Sequence, residues 1–314
     1  MKKLISLVIP MYFEEEVVDE CYSRLSKVMQ GMANYEYELI FVNDGSTDRT
    51  LEILEQIAGM DKCVKVLSLA RNFGHQVAVS CGIDYAKGDA LVIIDADLQD
   101  PPEVIPDMVK LWEQGYEVVY GKRKRRQGET KFKLVTAKLF YKVLDHLSEV
   151  HIPRDTGDFR LIDRKVANVL RGLSEHNRFL RGLVAWSGFN QIPLEYVRDE
   201  RFAGETKYPF KKMVKFALDG IISFSAKPLR LITGLGFISV GIAIFIMFYA
   251  IGSFIFPNIG TVPGWTSIMV TVAFIGGVQL IAIGILGEYI ARMYDESKNR
   301  PLYIVSKQFN VEDK

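Results

Sequence analysis

Two long uncharged runs near the C-terminus restrict the possible folds of this chain more than any other feature of its sequence. The first run covers Leu231–Phe256 and the second covers Trp265–Gly287. As helices they would reach about 39 Å and about 34 Å, at a rise of 1.5 Å per residue. Both lengths exceed the roughly 30 Å hydrocarbon core of a bilayer, so we predict two tilted transmembrane helices. A pair of helices buried in a soluble core is the alternative interpretation.

Positive charges flank this pair of runs and are missing between them. Lysines and arginines precede the first run and follow the second, whereas the connector at residues 257–264 has neither. An excess of Lys and Arg marks the cytoplasmic side of a membrane. We therefore expect a multi-pass membrane protein with both termini in the cytoplasm and the connector outside.

The chain divides into four parts on this basis. Residues 1–208 are expected to form a soluble domain, residues 229–292 a transmembrane hairpin and residues 293–314 a cytoplasmic tail. Residues 209–228 have apolar side chains at helical spacing with lysines mostly opposite, which predicts an amphipathic helix lying in the membrane interface. An amphipathic helix packed on the soluble domain is the alternative for that segment.

Residues 1–208 alternate short apolar runs with helical patterns. The predicted strands are Leu4–Pro10, Tyr37–Asn43, Val64–Leu69, Ala90–Asp95 and Glu117–Gly121, and the predicted helices are Glu14–Gly31, Thr47–Ala58, Gly74–Ala86 and Pro102–Gln114. Several of the strands are apolar throughout, which is typical of a sheet covered on both faces. The sequence therefore predicts an α/β fold with a mostly parallel, doubly wound sheet. The first apolar stretch resembles a signal peptide only superficially, because Pro10 and then acidic residues end it.

Acidic side chains follow the fourth predicted strand. In sheets of this kind, ligands bind beyond the carboxyl ends of the strands. Asp95 and Asp97, two residues apart, can place oxygen ligands on one hard cation. Mg²⁺ or Mn²⁺ bound by one or two carboxylates and by diphosphate oxygens is the usual arrangement for nucleotide substrates. A solvated strand end is the alternative for such a pair taken alone.

Further polar segments follow other strand ends. Asp44 ends the second strand and is a candidate acceptor for a nucleobase N–H, or else part of a turn before the next helix. The basic run Lys122–Arg126 follows the fifth strand and is either a solvated face or a site for an anionic acceptor. His75 lies near the same edge and is interpreted as a hydrogen-bonding residue at a helix start.

Several functional classes are disfavoured by the sequence. No G-x-G-x-x-G opens the first helix and no G-x-x-x-x-G-K-[ST] occurs, which disfavours dinucleotide oxidoreductases and P-loop ATPases. The 39 Lys and Arg against 38 Asp and Glu leave no basic excess to offset a phosphate backbone. No nucleic-acid partner is therefore expected.

Three motifs together resemble those of the family-2 glycosyltransferases of the GT-A fold. They are Val8–Glu15, Val42–Asp48 and Asp95–Glu103. More narrowly, the chain resembles the polyprenyl-phosphate glycosyltransferases: dolichol-phosphate mannose synthases and, more closely, bacterial bactoprenol glucosyltransferases with two C-terminal membrane helices. Further matching segments are Arg71–Gln76, Thr156–Leu161, Arg201–Tyr208, Phe224–Arg230 and Leu286–Tyr289. One departure is Phe13, which stands where the family commonly has Asn.

The resemblance implies roles for individual residues. It implies a nucleotide-sugar pocket of Pro10, Tyr12, Glu14, Asp44, Arg71, Asp95 and Ala96, a metal site of Asp95, Asp97 and Gln99, and an acceptor-phosphate site of Arg123, Arg126 and Lys133. Asp158 corresponds to the acidic residue near the reacting centre, so that Asp158, Asp97 and Arg123 are the implied catalytic residues. Asp158 either orients a substrate or acts as a base.

The implied reaction is the inverting transfer of a sugar from a nucleotide diphosphate to undecaprenyl phosphate, with Mg²⁺ or Mn²⁺ as cofactor. Glucose from UDP is favoured, and the implied location is the cytoplasmic face of a bacterial inner membrane. A lipid monophosphate has a second pKa of about 6 and is largely a dianion near neutral pH, so it needs no strong base. Two alternatives are a family-2 transferase acting on another lipid or a polysaccharide, and a non-catalytic membrane scaffold that senses sugar nucleotides. Small residues in the first run, such as Gly234 and Gly236, permit close helix packing, and a homo-oligomer is expected.

Overall fold

The computed structural model describes residues 2–124, 156–198, 227–255 and 264–311. The strands are β1 Lys3–Met11, β2 Tyr35–Asn43, β3 Val64–Leu69, β4 Ala90–Ile93, β5 Val118–Arg123, β6 Thr156–Asp163, β7 Gln191–Tyr196 and β8 Val305–Phe309. The helices are α1 Val18–Gln30, α2 Thr50–Met60, α3 His75–Tyr85, α4 Ile105–Glu113, α5 Arg164–Gly172, α6 Leu180–Trp186, α7 Lys227–Ile255 and α8 Trp265–Ser297. A 3₁₀ turn at Pro102–Val104 precedes α4.

The strands form one mixed sheet in the order β7-β5-β6-β4-β1-β2-β3-β8. The five predicted strands are all present, and β1 to β4 pair in parallel as expected. The sheet as a whole is less parallel than predicted, because β6 runs antiparallel to both β4 and β5, and β8 runs antiparallel to β3. The prediction of a mostly parallel sheet is therefore correct for the N-terminal part, and the complete sheet is mixed.

Apolar side chains cover both faces of the sheet. Along β1, Ile5, Leu7 and Ile9 face one core, and Val8 faces the other. Helices α1, α2 and α4 contribute buried residues to the first core, whereas α3, α5 and α6 contribute to the second. The alternation of side chains along a strand explains why the runs are continuously apolar, since both faces are buried. The sheet is doubly wound, as the sequence predicts.

The two C-terminal helices correspond to the two uncharged runs. Helix α7 has 29 residues and α8 has 33. Within the described parts of the chain, one segment is both long enough and apolar enough to cross a membrane, Phe274–Ser297 in α8, and none of it is buried. One membrane-spanning candidate is therefore observed, and the second remains a prediction. Most of the predicted interfacial segment, residues 209–226, lies outside the described residues.

The chain returns to the sheet after α8. Residues 305–309, which the sequence division places in a tail, form β8 on the edge of β3. The end of α8 also contacts the α/β domain, since Nδ1 of His176 lies 2.7 Å from a carboxylate oxygen of Glu296 and Nε2 lies 2.6 Å from the carbonyl oxygen of Arg300. The hydroxyl of Tyr303 donates a hydrogen bond to Asp84 at 2.8 Å. Helix α8 and the residues after it are thus joined to the α/β domain by side-chain and by strand contacts.

Candidate active site

The candidate site lies at the edge of the sheet where β1 to β4 end, which we call the rim. Parallel strands place their carboxyl ends at the same edge, so the loops after them lie together. Strand β6 begins at this edge because it runs antiparallel to β4, and its Arg160 is registered with Ile93. Asp158 therefore lies beside the end of β4, close to Asp95, although the two are 63 residues apart in sequence.

Asp44 holds the loop between β3 and α3. Its two carboxylate oxygens accept hydrogen bonds from the backbone amides of Phe73 at 2.7 Å and Gly74 at 2.9 Å. Burial raises its pKa, while these two amides work in the opposite direction. The loop packs so closely that a Cβ on Gly45, whose φ is +69°, would lie 2.4 Å from the backbone of Arg71. The structure gives Asp44 a role in shaping the loop, and a contact with a nucleobase remains a prediction.

The loop after β1 presents two aromatic rings. Pro10 is buried within β1, whereas Tyr12 and Phe13 are exposed and stack edge to face with centroids 4.5 Å apart. Phe13 has a left-handed backbone with φ 55°, and its amide donates to the hydroxyl of Ser46 at 3.1 Å. The amide of Glu14 donates to the hydroxyl of Thr50 at 3.0 Å, which joins this loop to α2. An exposed aromatic pair of this kind offers a flat surface to a base.

The loop that follows β4, residues 95–100, carries the predicted metal ligands, and we call it the acidic loop. One oxygen of Asp95, Oδ1, is buried and has no hydrogen-bond partner among the described residues, and the Nε2 of His75 lies 3.6 Å from it. Asp97 accepts a hydrogen bond from the amide of Gln99 at 3.2 Å. Ala96 is buried, and Leu98 has a left-handed backbone with φ 55°. Backbone conformations of this type in bulky residues concentrate at functional sites.

The acidic loop suits a divalent cation. A buried carboxylate oxygen without a donor is unfavourable unless a cation or a proton reaches it. Among the described residues, no group of three or more His, Cys, Asp and Glu side chains has the arrangement of a metal site. Asp95 and Asp97 fit instead the kind of Mg²⁺ or Mn²⁺ site in which one or two carboxylates are completed by substrate oxygens and water.

Asp158 lies in a network of donors that we call the Asp158 cluster: Asp158, His75, Gln76 and Arg181. Arg181 binds the carboxylate with two nitrogens, Nε at 2.7 Å and Nη2 at 3.2 Å. Gln76 donates to Oδ2 of Asp158 at 3.1 Å, and Nε2 of His75 lies 3.2 Å from the same oxygen. Arg160 is buried behind the cluster and donates to the carbonyl oxygens of Gly157 and Asp158. Both carboxylate oxygens of Asp158 are therefore occupied by the protein itself.

The charges of these groups shift their pKa values in opposite directions. Burial, together with the nearby charges of Asp158, Asp100 and Asp97, raises the pKa of Asp95 to about 6, although His75 lowers it. Burial of Asp158 also opposes its charge, yet Arg181 and His75 hold its pKa well below the usual range. Burial opposes the charge of His75 too, but its contacts with Asp158 and Asp95 raise its pKa to about 9. Asp158 is therefore ionised and a poor proton acceptor.

A further carboxylate, Asp100, lies on the predicted acceptor side of the site, next to Arg123. Asp100 is completely buried and accepts a short hydrogen bond from the hydroxyl of Tyr196. Nη2 of Arg123 lies 3.7 Å from its Oδ2, and Nε of Arg198 lies 3.4 Å from its Oδ1. Arg71, at the other end of the rim, lies over the ring of Phe73 at 4.0 Å. Arg126 and Lys133, the other predicted acceptor residues, lie outside the described residues.

Sequence analysis missed four residues of the site: Arg160, Arg181, Tyr196 and Arg198. They lie on β6, α6 and β7 or just beyond; Arg160 belongs to the matching segment Thr156–Leu161 but was given no role there, and the other three lie outside the recognised motifs. His75 was predicted to be a hydrogen-bonding residue at a helix start, and it is the first residue of α3. Local sequence could not reveal these residues, because long-range strand pairing brings them to the rim: β6 antiparallel to β4, and β7 parallel to β5.

Known proteins are similar to this chain in sequence. The family described as Glycosyl transferase family 2 matches residues 6–171, which is more than half of the chain. An uncharacterized glycosyltransferase, YkcC, of Bacillus subtilis (strain 168) is 51% identical over 98% of this chain and 95% of its own length. A bactoprenol glucosyl transferase of Shigella phage SfII is 43% identical over 96% of this chain and 97% of its own length.

A solved structure gives a looser match. The glucosyl-3-phosphoglycerate synthase of Mycobacterium tuberculosis is 25% identical, with a TM-score of 0.46, over 70% of this chain and 79% of that one. The family match and the curated relatives confirm the resemblance seen in the motifs. The chain is a glycosyltransferase with a GT-A-like mixed-sheet α/β fold, and it belongs to glycosyl transferase family 2.

Proposed function

We propose that this protein is a membrane-anchored, metal-dependent, inverting glycosyltransferase that moves a sugar from a nucleotide diphosphate to undecaprenyl phosphate. UDP-glucose is the proposed donor, and the cytoplasmic face of a bacterial inner membrane is the proposed location. The bactoprenol glucosyl transferase of the Shigella phage, similar along almost the whole chain, supports the acceptor and the sugar. Helix α7, together with the span in α8, supports a two-helix membrane anchor.

One observation carries the proposal: two carboxylates of the acidic loop, Asp95 and Asp100, differ in their charged neighbours. Asp95 keeps a buried oxygen without a hydrogen-bond partner among the described residues, beside Asp97, where a cation with a diphosphate fits. Asp100, at the end of the same loop, is surrounded by the guanidinium groups of Arg123 and Arg198. A transferase that joins two phosphate-bearing substrates needs both a bound cation and fixed positive side chains.

The chemistry demands little of the protein beyond positioning. A divalent cation, when bound, would neutralise the charge that develops on the departing nucleoside diphosphate. The acceptor phosphate is a strong enough nucleophile as a dianion, so no side chain needs to remove a proton from it. Asp158 has its two oxygens bonded to Arg181, Gln76 and His75, which suits a positioning role and not that of a base. Direct displacement at the anomeric carbon inverts its configuration.

The test is transfer of label by the full-length protein in detergent. Purified protein is incubated with Mg²⁺ or Mn²⁺, undecaprenyl phosphate and one radiolabelled nucleotide sugar from a panel of UDP-glucose, UDP-N-acetylglucosamine and GDP-mannose. We expect label from UDP-glucose in the lipid fraction and no transfer in a chelator. Asp97→Asn should abolish transfer, whereas Asp107→Asn should not, because Asp107 is an exposed carboxylate on α4 that bonds Lys110.

The alternatives give different results in the same assay. Label that enters a polysaccharide or a different lipid would indicate another acceptor for a family-2 transferase. Binding of a nucleotide sugar without turnover under any condition would indicate a sensing scaffold. Full transfer by Asp97→Asn in the presence of a chelator would contradict the proposed metal site.

A further inference from the structure

The side chains around Asp100 form a compact unit that we call the Asp100 cluster: Asp100, Arg123, Tyr196 and Arg198. Asp100 belongs to the acidic loop, whereas the other three lie on β5 and at the end of β7. Strands β5 and β7 are parallel neighbours, and their register places Arg123 directly beside Tyr196. The cluster therefore connects the proposed metal loop to the two strands that carry the arginines.

Ion pairs join the carboxylate of Asp100 to both arginines, and the hydroxyl of Tyr196 adds hydrogen bonds to Asp100 and Arg123. The hydroxyl of Tyr196 donates to Oδ1 of Asp100 and accepts a hydrogen bond from Nε of Arg123 at 3.4 Å. Burial and the carboxylate raise the pKa of Tyr196 above its usual range, so the hydroxyl stays protonated and remains a donor. Arg198 approaches Oδ1 from its own side at 3.4 Å. The carboxylate is thus ion-paired with both guanidinium groups, although Oδ2 of Asp100 and Nε of Arg198 have no hydrogen-bond partner among the described residues.

Two glycines, Gly157 and Gly121, leave space for the side chains of the Asp100 cluster. A Cβ on Gly157 would lie 2.7 Å from Nη2 of Arg123, so only glycine lets the guanidinium reach its place beside Asp100. A Cβ on Gly121 would lie 2.8 Å from the ring of Tyr196, and that ring packs edge to face on Phe159 at 5.6 Å. Two glycines therefore make space for the guanidinium of one member and for the ring of another.

The Asp100 cluster carries more positive than negative charge. Asp100 contributes one negative charge against the two positive charges of Arg123 and Arg198. The carboxylate is fully buried, whereas the side chains of Arg123 and Arg198 are 32% and 29% exposed. The unbalanced positive charge therefore faces outward, and guanidinium groups suit a phosphate because they can form two parallel hydrogen bonds with it.

We propose that Asp100 is a positioning residue that presents Arg123 and Arg198 as a pair to the phosphate of the acceptor lipid. This inference rests on the proposed function and adds Arg198 as an acceptor-binding residue. Asp100 touches neither substrate and acts through the arginines. Because it is part of the acidic loop, the same short segment shapes both the cation site and the acceptor site.

The first test measures apparent KM values for undecaprenyl phosphate in mixed micelles and for the nucleotide sugar. Arg198→Gln should raise the acceptor KM by roughly tenfold to a hundredfold, the usual contribution of a charged hydrogen bond. Asp100→Asn should raise it at least as much, and both variants should keep the donor KM within about twofold. Glu38→Gln, which alters a buried carboxylate at the opposite end of the sheet, is the control and should leave both constants unchanged.

The second test separates positioning from a general loss of structure. In an Arg123→Gln/Arg198→Gln background, Asp100→Asn should cause no further rise in the acceptor KM, because the groups it positions are gone. Gly157→Ala keeps every charge and displaces only Arg123, so it should also raise the acceptor KM. Gly172→Ala is its control, since a Cβ there meets no atom within 4 Å. Gly157→Ala decides the question if Asp100→Asn fails to fold.

The outcomes distinguish this inference from the proposed function. If the wild-type protein transfers no sugar to undecaprenyl phosphate, the proposed function fails and the inference fails with it. If the wild-type protein transfers sugar but Arg198→Gln and Gly157→Ala keep its acceptor KM, the inference alone is wrong. A rise in the donor KM instead of the acceptor KM would assign the arginines to the nucleotide diphosphate and would also overturn it.

Discussion

The carboxylates on the two sides of the rim differ in their hydrogen-bond partners and in the direction of their pKa shifts. On the side of β4, Asp95 keeps an oxygen without a hydrogen-bond partner in the described chain, and burial raises its pKa to about 6. On the side of β6, Asp158 is bound by Arg181, Gln76 and His75, and its pKa is held well below the usual range. His75 contacts both groups. The β4 side, which we call the open side, has polar groups without hydrogen-bond partners that a ligand can satisfy. On the β6 side, which we call the closed side, the protein itself satisfies the carboxylate.

This difference separates the residues that are available to bind a ligand from those that keep the site rigid. Unsatisfied polar groups lower the stability of the free protein and become favourable only when a ligand arrives. Satisfied networks hold their members in one geometry, which a transferase needs in order to align two substrates. Stability measurements on single variants should therefore give opposite signs on the two sides.

The largest effect is expected at Asp158. Asp158→Asn leaves Arg181 without its carboxylate, and removal of one partner from a buried pair costs roughly 3–5 kcal/mol. We expect chemical denaturation of the protein in detergent to show this loss in the free energy of unfolding. Addition of Arg181→Gln should recover part of it, because the uncompensated charge is then removed. A double variant whose loss equals the sum of the two single losses would show that Asp158 and Arg181 do not stabilise each other, which contradicts the comparison.

Asp95 should respond with the opposite sign. The pKa of Asp95 is raised from 3.8 to about 6, which corresponds to at most roughly 3 kcal/mol against the ionised form. Asp95→Asn should therefore leave the metal-free protein at neutral pH more stable, by about 1–3 kcal/mol, while it abolishes transfer. The same denaturation experiment in a chelator measures this. A loss of stability comparable to that of Asp158→Asn would show that the two sides do not differ.

Phe13, in the loop after β1, provides a smaller test. Its left-handed backbone, with φ 55°, costs a bulky residue on the order of 1–2 kcal/mol, and Asn adopts that conformation more readily. Phe13→Asn should raise the melting temperature by an amount equivalent to about 1 kcal/mol. A decrease would mean that the stacked contact with Tyr12 outweighs the backbone strain.

The smallest effect concerns His176, which lies between α5 and α6 and contacts the end of α8. Both ring nitrogens lie close to acceptor oxygens, and its hydrogen bonds to Glu296 and Arg300 raise its pKa above 6.5. The raised pKa means that the contribution to stability is complete below about pH 6.5 and is lost as the pH rises through the folded-state pKa. Because the contact is partly exposed, we expect less than about 1 kcal/mol.

The measurement is thermal unfolding of the wild-type protein and of His176→Gln across that pH range. The stability difference between them should be largest at the acidic end and should shrink as the pH rises. A difference that is constant with pH would indicate that the ring is not charged in the folded protein. Arg178→Gln is unsuitable as a control, because Arg178 bonds the carbonyl oxygens that end α5.

The sequence predicted the open side of the rim better than the closed side. Strands β1 to β4 are joined by local β–α units, so their apolar runs and the acidic motif after β4 lie in continuous segments. Strand β6 pairs with β4 from more than 60 residues away, and nothing in its sequence indicates an antiparallel direction. The positions of Arg181, Tyr196 and Arg198 depend on that pairing. Strand β8 was missed because its pattern is half polar, as expected at an edge.

The position of β8 has a consequence for biosynthesis. Strand β3 is an edge strand until β8 pairs with it, and β8 follows both C-terminal helices in the chain. On the ribosome, the N-terminal strands emerge long before β8 is translated, so one edge of β3 keeps unpaired amides and carbonyls while the two C-terminal helices are synthesised. Exposed edges of this kind invite association with other chains. If the protein is membrane-anchored as proposed, insertion of the helices precedes closure of the sheet, and a nascent chain that fails to insert keeps an unpaired β3 edge that is prone to aggregation.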